Sequence, residues 1–263
     1  MDIEALFSVK DKVVLVTGGS RGIGEMIATG FVQAGAKVYI TSRKAKACDE
    51  MAAKLNALGP GQAIALPADL QSVEQIKQLA TELSKRETHL DVLVNNAGAT
   101  WGAPVDEYPE AAFQKVMNLN VTRIFTLTQA LLPLLRAKAT REDPSRVINL
   151  GSVAGEYVPN FEAYAYSASK AAIAHMTRHL AGRLGRDYIL CNTIAPGSFP
   201  SKMLAETWEK NKDAYLARNP LGRIGSPEDI AGTCIYLSSR AAAYTNGATI
   251  VIDGGSAHNN SRL

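Results

Sequence analysis

Short, continuously apolar runs alternate along the chain with longer stretches in which apolar positions recur every three or four residues. The runs fall at 13–17, 37–41, 62–67, 92–95, 146–152, 189–195 and 249–252, and the helical patterns near 22–34, 44–58, 72–86, 106–138, 163–184 and 227–238. Strands this short, without polar alternation, suit a parallel sheet buried on both faces. Their repeated alternation with helices predicts an α/β architecture, a doubly wound sheet of seven strands with helices on both faces. The stretch 198–219 breaks the rhythm, scattering Phe199, Met203, Leu204, Trp208, Tyr215 and Leu216 among charges, and reads as a lid over a ligand or else as a surface helical pair. No linker, repeat or low-complexity segment divides the rest, so residues 1–263 are expected to form one domain.

Composition narrows the function classes. A net charge of +3 is too small to point to nucleic acid or a membrane surface, and no apolar stretch approaches the length of a spanning helix. Cys48, Cys191 and Cys234 are far apart and odd in number, which fits a reducing compartment; the acidic start of the chain is unlike a secretory signal, and a cytoplasmic location is expected. His175 and His179 stand one helical turn apart, but no third ligand accompanies them and no metal site is expected.

The first strand runs directly into Thr17-Gly18-Gly19-Ser20-Arg21-Gly22-Ile23-Gly24, and a helical pattern begins at once. Glycines there let the backbone turn tightly and approach a pyrophosphate, while the helix N-terminus offers free N–H groups to it. The spacing is Gly-x-x-x-Gly-x-Gly, and no Gly-Lys-Ser/Thr ending follows, which argues against nucleotide hydrolysis. A site for NAD would place a carboxylate at the end of the second strand. Here that end reads Thr41-Ser42-Arg43-Lys44, with no acid. Arg43, joined by Arg21, is placed to pair with a ribose 2′-phosphate, so NADP(H) is the expected cofactor.

Tyr166 and Lys170 lie four residues apart in a helical stretch, which sets them on one face, a turn apart. An ammonium near a phenol lowers the pKa of the phenol, and the pair is a candidate for proton transfer.

These landmarks, with Asp69-Leu70 after the third strand, Asn95-Asn96-Ala97-Gly98 after the fourth, Asn120, Ser152 and Pro196-Gly197, fall in one order. In that order the chain resembles the short-chain dehydrogenase/reductase family, in its compact branch, over essentially its whole length. Within the family the segments 98–103, 131–136, 147–155 and 194–201 are most similar to beta-ketoacyl reductases of the kind found in bacterial rhamnolipid synthesis.

The resemblance implies a Rossmann-type fold and a set of roles. Tyr166 would exchange a proton with the substrate oxygen, Lys170 would tune it and hold the nicotinamide ribose, Ser152 would bind the substrate carbonyl, and Asn120 would anchor a proton-relay water. Gly18, Ser20, Gly22, Ile23 and Gly24 would hold the pyrophosphate, Arg21 beside Arg43 the 2′-phosphate, Asp69 and Leu70 the adenine, and Asn96 the groove between. Phe199, after Pro196-Gly197, would meet the nicotinamide. Ser201 would replace the family's threonine beyond that turn. Tyr164 is not the proton donor, because Ala168 stands where its lysine would be. Trp101 reads either as core or as a wall of the substrate pocket. The implied reaction is NADPH-dependent reduction of a ketone, a 3-oxoacyl thioester or related bulky ketone, by a homotetramer. The alternatives are a carbonyl reductase acting on a small ketone, sugar or steroid, and a non-catalytic NADP sensor. An epimerase or dehydratase would need a longer substrate domain after the last strand.

Overall fold

The computed structural model describes residues 1–159, 161–201, 212, 213, 216, 217 and 219–259. Seven parallel strands lie in the order β3-β2-β1-β4-β5-β6-β7. They are β1 Val13–Thr17, β2 Lys37–Thr41, β3 Gln62–Ala65, β4 Val92–Asn95, β5 Ser145–Leu150, β6 Ile189–Pro196 and β7 Thr249–Ile252. β1, β4, β5 and β6 are buried at every position, which is why their sequences carry no polar alternation. The predicted strand at 62–67 ends two residues early. That at 146–152 begins and ends earlier, at Ser145 and Leu150, so Ser152 lies beyond the sheet.

The helices are α1 Ile3–Phe7, α2 Gly22–Gln33, α3 Ala45–Asn56, α4 Val73–Arg86, α5 Glu110–Met117, α6 Arg123–Ala137, α7 Tyr164–Leu184 and α8 Pro227–Ser238. One face of the sheet carries α2, α3 and α8 over Val14, Val16, Ile40, Val94 and Ile148; the other carries α4, α6 and α7 over Leu15, Tyr39, Leu93, Val147 and Cys191. Their ends follow the local chemistry. Ser72 caps α4 by accepting the Gln75 amide at 3.2 Å, and Lys85 and Arg86 sit in its last turn. Ser226 and Asp229 form a reciprocal capping box at α8, whose first residue is Pro227.

The helix expected over 106–138 is instead three pieces. A 3₁₀ turn at Val105–Glu107 precedes Pro109, and a five-residue π turn, Asn118–Thr122, joins α5 to α6. A π turn inserts an extra residue into the helical ladder and re-aims one side chain; here it turns Asn120, fully buried, toward the site. The lid expected at 198–219 lies outside the described residues except at 198–201, 212, 213, 216, 217 and 219. Cys48, Cys191 and Cys234 are all free and buried. Among the described residues no helix is long and apolar enough to cross a membrane.

The chain runs outward from β1 to β2 and β3, then returns to lay β4 on the other side of β1. That reversal opens a crevice at the carboxyl ends of β1 and β4, where ligands of such sheets bind.

Candidate active site

The crevice begins with the turn after β1. Gly18 takes φ +66° and Gly22 φ +56°, left-handed values that glycine adopts without strain. Gly18 and Gly19 both donate their amides to the Thr41 carbonyl, at 2.8 and 3.3 Å, which ties the turn to the end of β2. Gly24, already inside α2, is needed for space. A Cβ there would run into the Gly18 carbonyl oxygen and sit 2.5 Å from Nδ2 of Asn96. Asn96 donates that Nδ2 to the Thr17 carbonyl at 2.8 Å, and its own amide to the Thr17 hydroxyl at 2.9 Å. Thr17 therefore clamps β1 to β4, accepting also the Ala97 amide at 2.9 Å and donating to the Val94 carbonyl at 3.3 Å.

Ser20 and Ile23 lie partly exposed on either side of this turn, and exposed Arg21 precedes α2 as its N-cap. Arg43 is exposed beyond β2, just before Lys44, the N-cap of α3. Neither guanidinium makes a side-chain hydrogen bond or ion pair among the described residues. On the far side of β2, Oδ1 of Asp69 accepts the Gln71 amide at 3.0 Å, and Leu70 beside it is buried. Tight glycines, a helix N-terminus and two unpaired guanidiniums are the donor set a dinucleotide with an extra phosphate requires, and these residues fit one.

Toward the other end of the crevice, Ser152 caps a 3₁₀ turn, Val153–Gly155, by accepting the Ala154 amide at 3.2 Å. The Ser167 hydroxyl donates to the Ala154 carbonyl at 2.6 Å, fixing this turn to α7. Tyr166 and Lys170 share the α7 face opposite, with the Lys170 Nζ 5.5 Å from the centre of the phenol ring. Burial holds the Tyr166 pKa above its usual value, and the hydrogen bond from Ser152 pulls partly against it. Lys170 is buried, donates to the Leu150 carbonyl at 2.6 Å, and is brought by desolvation down to about 8. Asn120 exchanges hydrogen bonds with the Ala99 backbone, both at 2.9 Å, and donates to the Ser169 hydroxyl at 3.0 Å, which uses both its N–H groups and leaves its oxygen room for one more donor.

Residues 18–257 match a family model described as enoyl-(acyl carrier protein) reductase. A protein of Diaporthe leptostromiformis named short-chain dehydrogenase/reductase PhomF is 34% identical over 273 residues, 95% of this chain and 92% of its own. The chain belongs to the short-chain dehydrogenase/reductase family. The rhamnolipids biosynthesis 3-oxoacyl-(acyl-carrier-protein) reductase of Pseudomonas aeruginosa is 49% identical over 251 residues, covering 95% of this chain and 97% of that protein. The solved Pseudomonas aeruginosa RhlG/NADP active-site complex superposes with a TM-score of 0.93 at 47% identity, over 96% of this chain and 99% of that one. The protein is thus an oxidoreductase of the family, with the seven-stranded Rossmann-type fold the sequence predicted.

Two features were not readable from the sequence. The Phe199 side chain is buried, 4% exposed, and packs in the α2–α8 core against Gly225. The reason is local. The Gly225 amide donates to the Ser198 carbonyl at 2.9 Å, drawing the two segments together and turning the ring inward. The pKa of the Tyr166 phenol is raised, with burial the largest cause and the hydrogen bond with Ser152 acting against it, while the Lys170 ammonium donates to the Leu150 carbonyl.

The sequence reading also passed over Thr17 and a buried polar ladder beneath the site. In that ladder Asn95 donates to Asn149 at 2.8 Å, and Asn149 to the Thr177 hydroxyl at 2.8 Å, linking β4, β5 and α7. The available signal was a run of polar residues at the ends of otherwise apolar strands. Trp101, at 48% exposed, is not a core residue.

Proposed function

We propose that this protein is an NADPH-dependent ketoreductase in which Tyr166 donates the proton, and that it acts on a 3-oxoacyl thioester or a related bulky ketone. The observation that carries this reading is the meeting of Ser152, Tyr166 and Lys170 at the end of a crevice that starts in a glycine loop flanked by unpaired guanidiniums. The dinucleotide, when bound, supplies the hydride.

The chain's own residues do the rest. Ser152 accepts one amide, and its hydroxyl, hydrogen-bonded to Tyr166, is the group that would turn to a substrate carbonyl. Tyr166, held in its protonated form by burial, is the acid that meets the developing alkoxide. Lys170, cationic below about pH 8, lies close enough to stabilise negative charge left on the phenol. Asn120 holds Ala99 and Ser169 in place behind them. Gly18, Ser20, Gly22, Ile23 and Gly24 take the pyrophosphate, Arg21 and Arg43 the 2′-phosphate, Asp69 and Leu70 the adenine, and Asn96 the groove floor. The thioester reading draws on the 3-oxoacyl reductase of Pseudomonas aeruginosa, which is 49% identical.

Following NADPH absorbance with a panel of 3-oxoacyl thioesters, simple ketones and 2-enoyl thioesters tests the reaction. Ketone-dependent oxidation is expected; oxidation with enoyl thioesters alone would overturn the reading. In the same assay Arg43→Ala is expected to weaken NADPH by about 10- to 100-fold, the loss of one or two charge-assisted hydrogen bonds, with NADH changed by less than about twofold. Equal effects on both cofactors would remove Arg43 from the 2′-phosphate.

The outer surface of α6 and α7 bears an apolar groove of about 240 Å³ lined by Phe125, Leu132, Leu180 and Leu184. Phe125 is 44% exposed there, which supports self-association through these helices, as a homotetramer would require.

A further inference from the structure

The segment that leaves β4 runs from Gly98 to Pro109 and is tied to Asn120 and to the start of α7 at three points. Asn120 holds it at Ala99 through two hydrogen bonds of 2.9 Å. The Ala103 amide donates to the Glu162 carbonyl at 3.1 Å, next to the start of α7. The third tie is aromatic. The Tyr108 ring packs edge-on against Tyr164, 5.6 Å between centres, and against Phe113 at 6.1 Å. From that position the Tyr108 hydroxyl donates to the Trp101 carbonyl at 3.0 Å.

Tyr164 is two residues before Tyr166 on α7, so the clasp connects the backbone that carries Trp101 to the helix that carries the proton donor. The Tyr164 hydroxyl is itself spent on Glu162 at 3.2 Å, and burial with the nearby Glu162 and Asp106 raises its pKa, so its contribution is packing. Trp101 is left with nearly half its surface open at the mouth, and none of the aromatic contacts of the described residues involves it. A large apolar ring held open by a backbone clasp on Tyr164, two residues before Tyr166, is placed to cover an apolar substituent.

We propose that Trp101 is the specificity-determining wall for the chain beyond the substrate's carbonyl, and that Tyr108, acting through its bond to the Trp101 carbonyl and its packing on Tyr164, is the positioning residue for that wall. The substrate class is then a ketone bearing an extended apolar chain, which rests on the ketoreductase reading and sharpens it. A short ketone would reach Ser152 and Tyr166 without touching the ring.

The test compares 3-oxobutanoyl and 3-oxodecanoyl thioesters of N-acetylcysteamine, which differ only in the apolar chain. Trp101→Ala is expected to raise KM for the decanoyl ester by about tenfold, the loss of a modest apolar contact. KM for the butanoyl ester, KM for NADPH and kcat should each stay within about twofold. Tyr108→Phe keeps both ring contacts, removes only the hydroxyl, and is expected to give the same contrast at about threefold. Trp101→Phe should recover most of it. Equal shifts for the two esters, a shift in KM for NADPH, or no shift would overturn the proposal. Calorimetric titration of both esters into the NADP-loaded protein separates this inference from the reading beneath it. A chain-length preference in binding that Trp101→Ala abolishes, in a protein that oxidises no NADPH, keeps the wall and sinks the reduction. Ketone turnover with a chain-length preference unaltered by Trp101→Ala keeps the reduction and sinks the wall.

Discussion

Tyr166→Phe is expected to lower kcat by about 10²- to 10⁴-fold, the contribution of a positioned general acid, while NADPH affinity stays within about twofold. Phenylalanine keeps the ring under Lys170, so the packing of α7 persists, and only the hydroxyl with its bond to Ser152 is lost. Losing one neutral hydrogen bond costs about 1 kcal/mol, too little to unfold the chain. The glycine loop proposed to take the pyrophosphate is anchored elsewhere, through Thr17, Thr41 and Asn96, and does not depend on the phenol. Stopped-flow hydride transfer and fluorescence titration of NADPH, run on the same preparation, separate the two quantities. A kcat within tenfold of the parent would remove Tyr166 from proton transfer and with it the mechanism built around the Ser152–Tyr166–Lys170 cluster.

Gly24→Ala is the second large effect, and it acts on the cofactor end. A methyl group at this position meets the Gly18 carbonyl oxygen and, at 2.8 Å, the Gly18 carbonyl carbon; both are backbone atoms with no rotamer to change. Gly18 cannot retreat freely, because its amide is bonded to the Thr41 carbonyl at 2.8 Å and its left-handed φ is part of the turn. Overpacking of this kind costs about 1–3 kcal/mol or more and reshapes the loop that would hold the pyrophosphate. The expected result is a lower Tm together with NADPH affinity reduced by about 100-fold or more. Gly22→Ala is the informative comparison. Gly22 has φ +56° but open space, its nearest neighbour being the Ser201 Cβ at 3.6 Å, so its penalty is conformational, about 1–2 kcal/mol. Gly24→Ala should therefore be the more damaging to binding. Wild-type affinity and Tm in Gly24→Ala would show that the close packing of α2 on the turn is not what shapes the cofactor site.

The architecture was legible because each element carries its own signal. Buried strands such as Val13–Thr17 read as apolar runs, and amphipathic helices such as Val73–Arg86 show their period and their caps. The long pattern over 106–138 hid a division, because apolar spacing barely changes across a single π turn; it is the inserted residue, and not the composition, that aims Asn120 inward. The burial of the Phe199 side chain was not legible for a different reason. Its position after Pro196-Gly197 gives nearness to the site, but the direction of its ring depends on Gly225, a residue distant in sequence whose lack of a side chain makes the space.

What the sequence by itself determined is the inventory and its order: a glycine loop after the first strand, a basic and not acidic end to the second, and Ser152, Asn120, Tyr166 and Lys170 in the sequence positions that a proton-transfer site demands. The glycine loop, the basic strand end and the Tyr166–Lys170 spacing are local and readable along one strand or one helix, whereas Ser152 and Asn120 came from the resemblance of the whole chain to the family. Tertiary structure alone decided which glycines are there for a left-handed φ and which for space, that burial raises the Tyr166 phenol while Lys170 binds the Leu150 carbonyl, and that Trp101 stands open on a clasp of Tyr108 and Tyr164. Each of these depends on atoms brought together from separate elements. Desolvation and steric contact are properties of that assembled environment, and no window of the chain contains them.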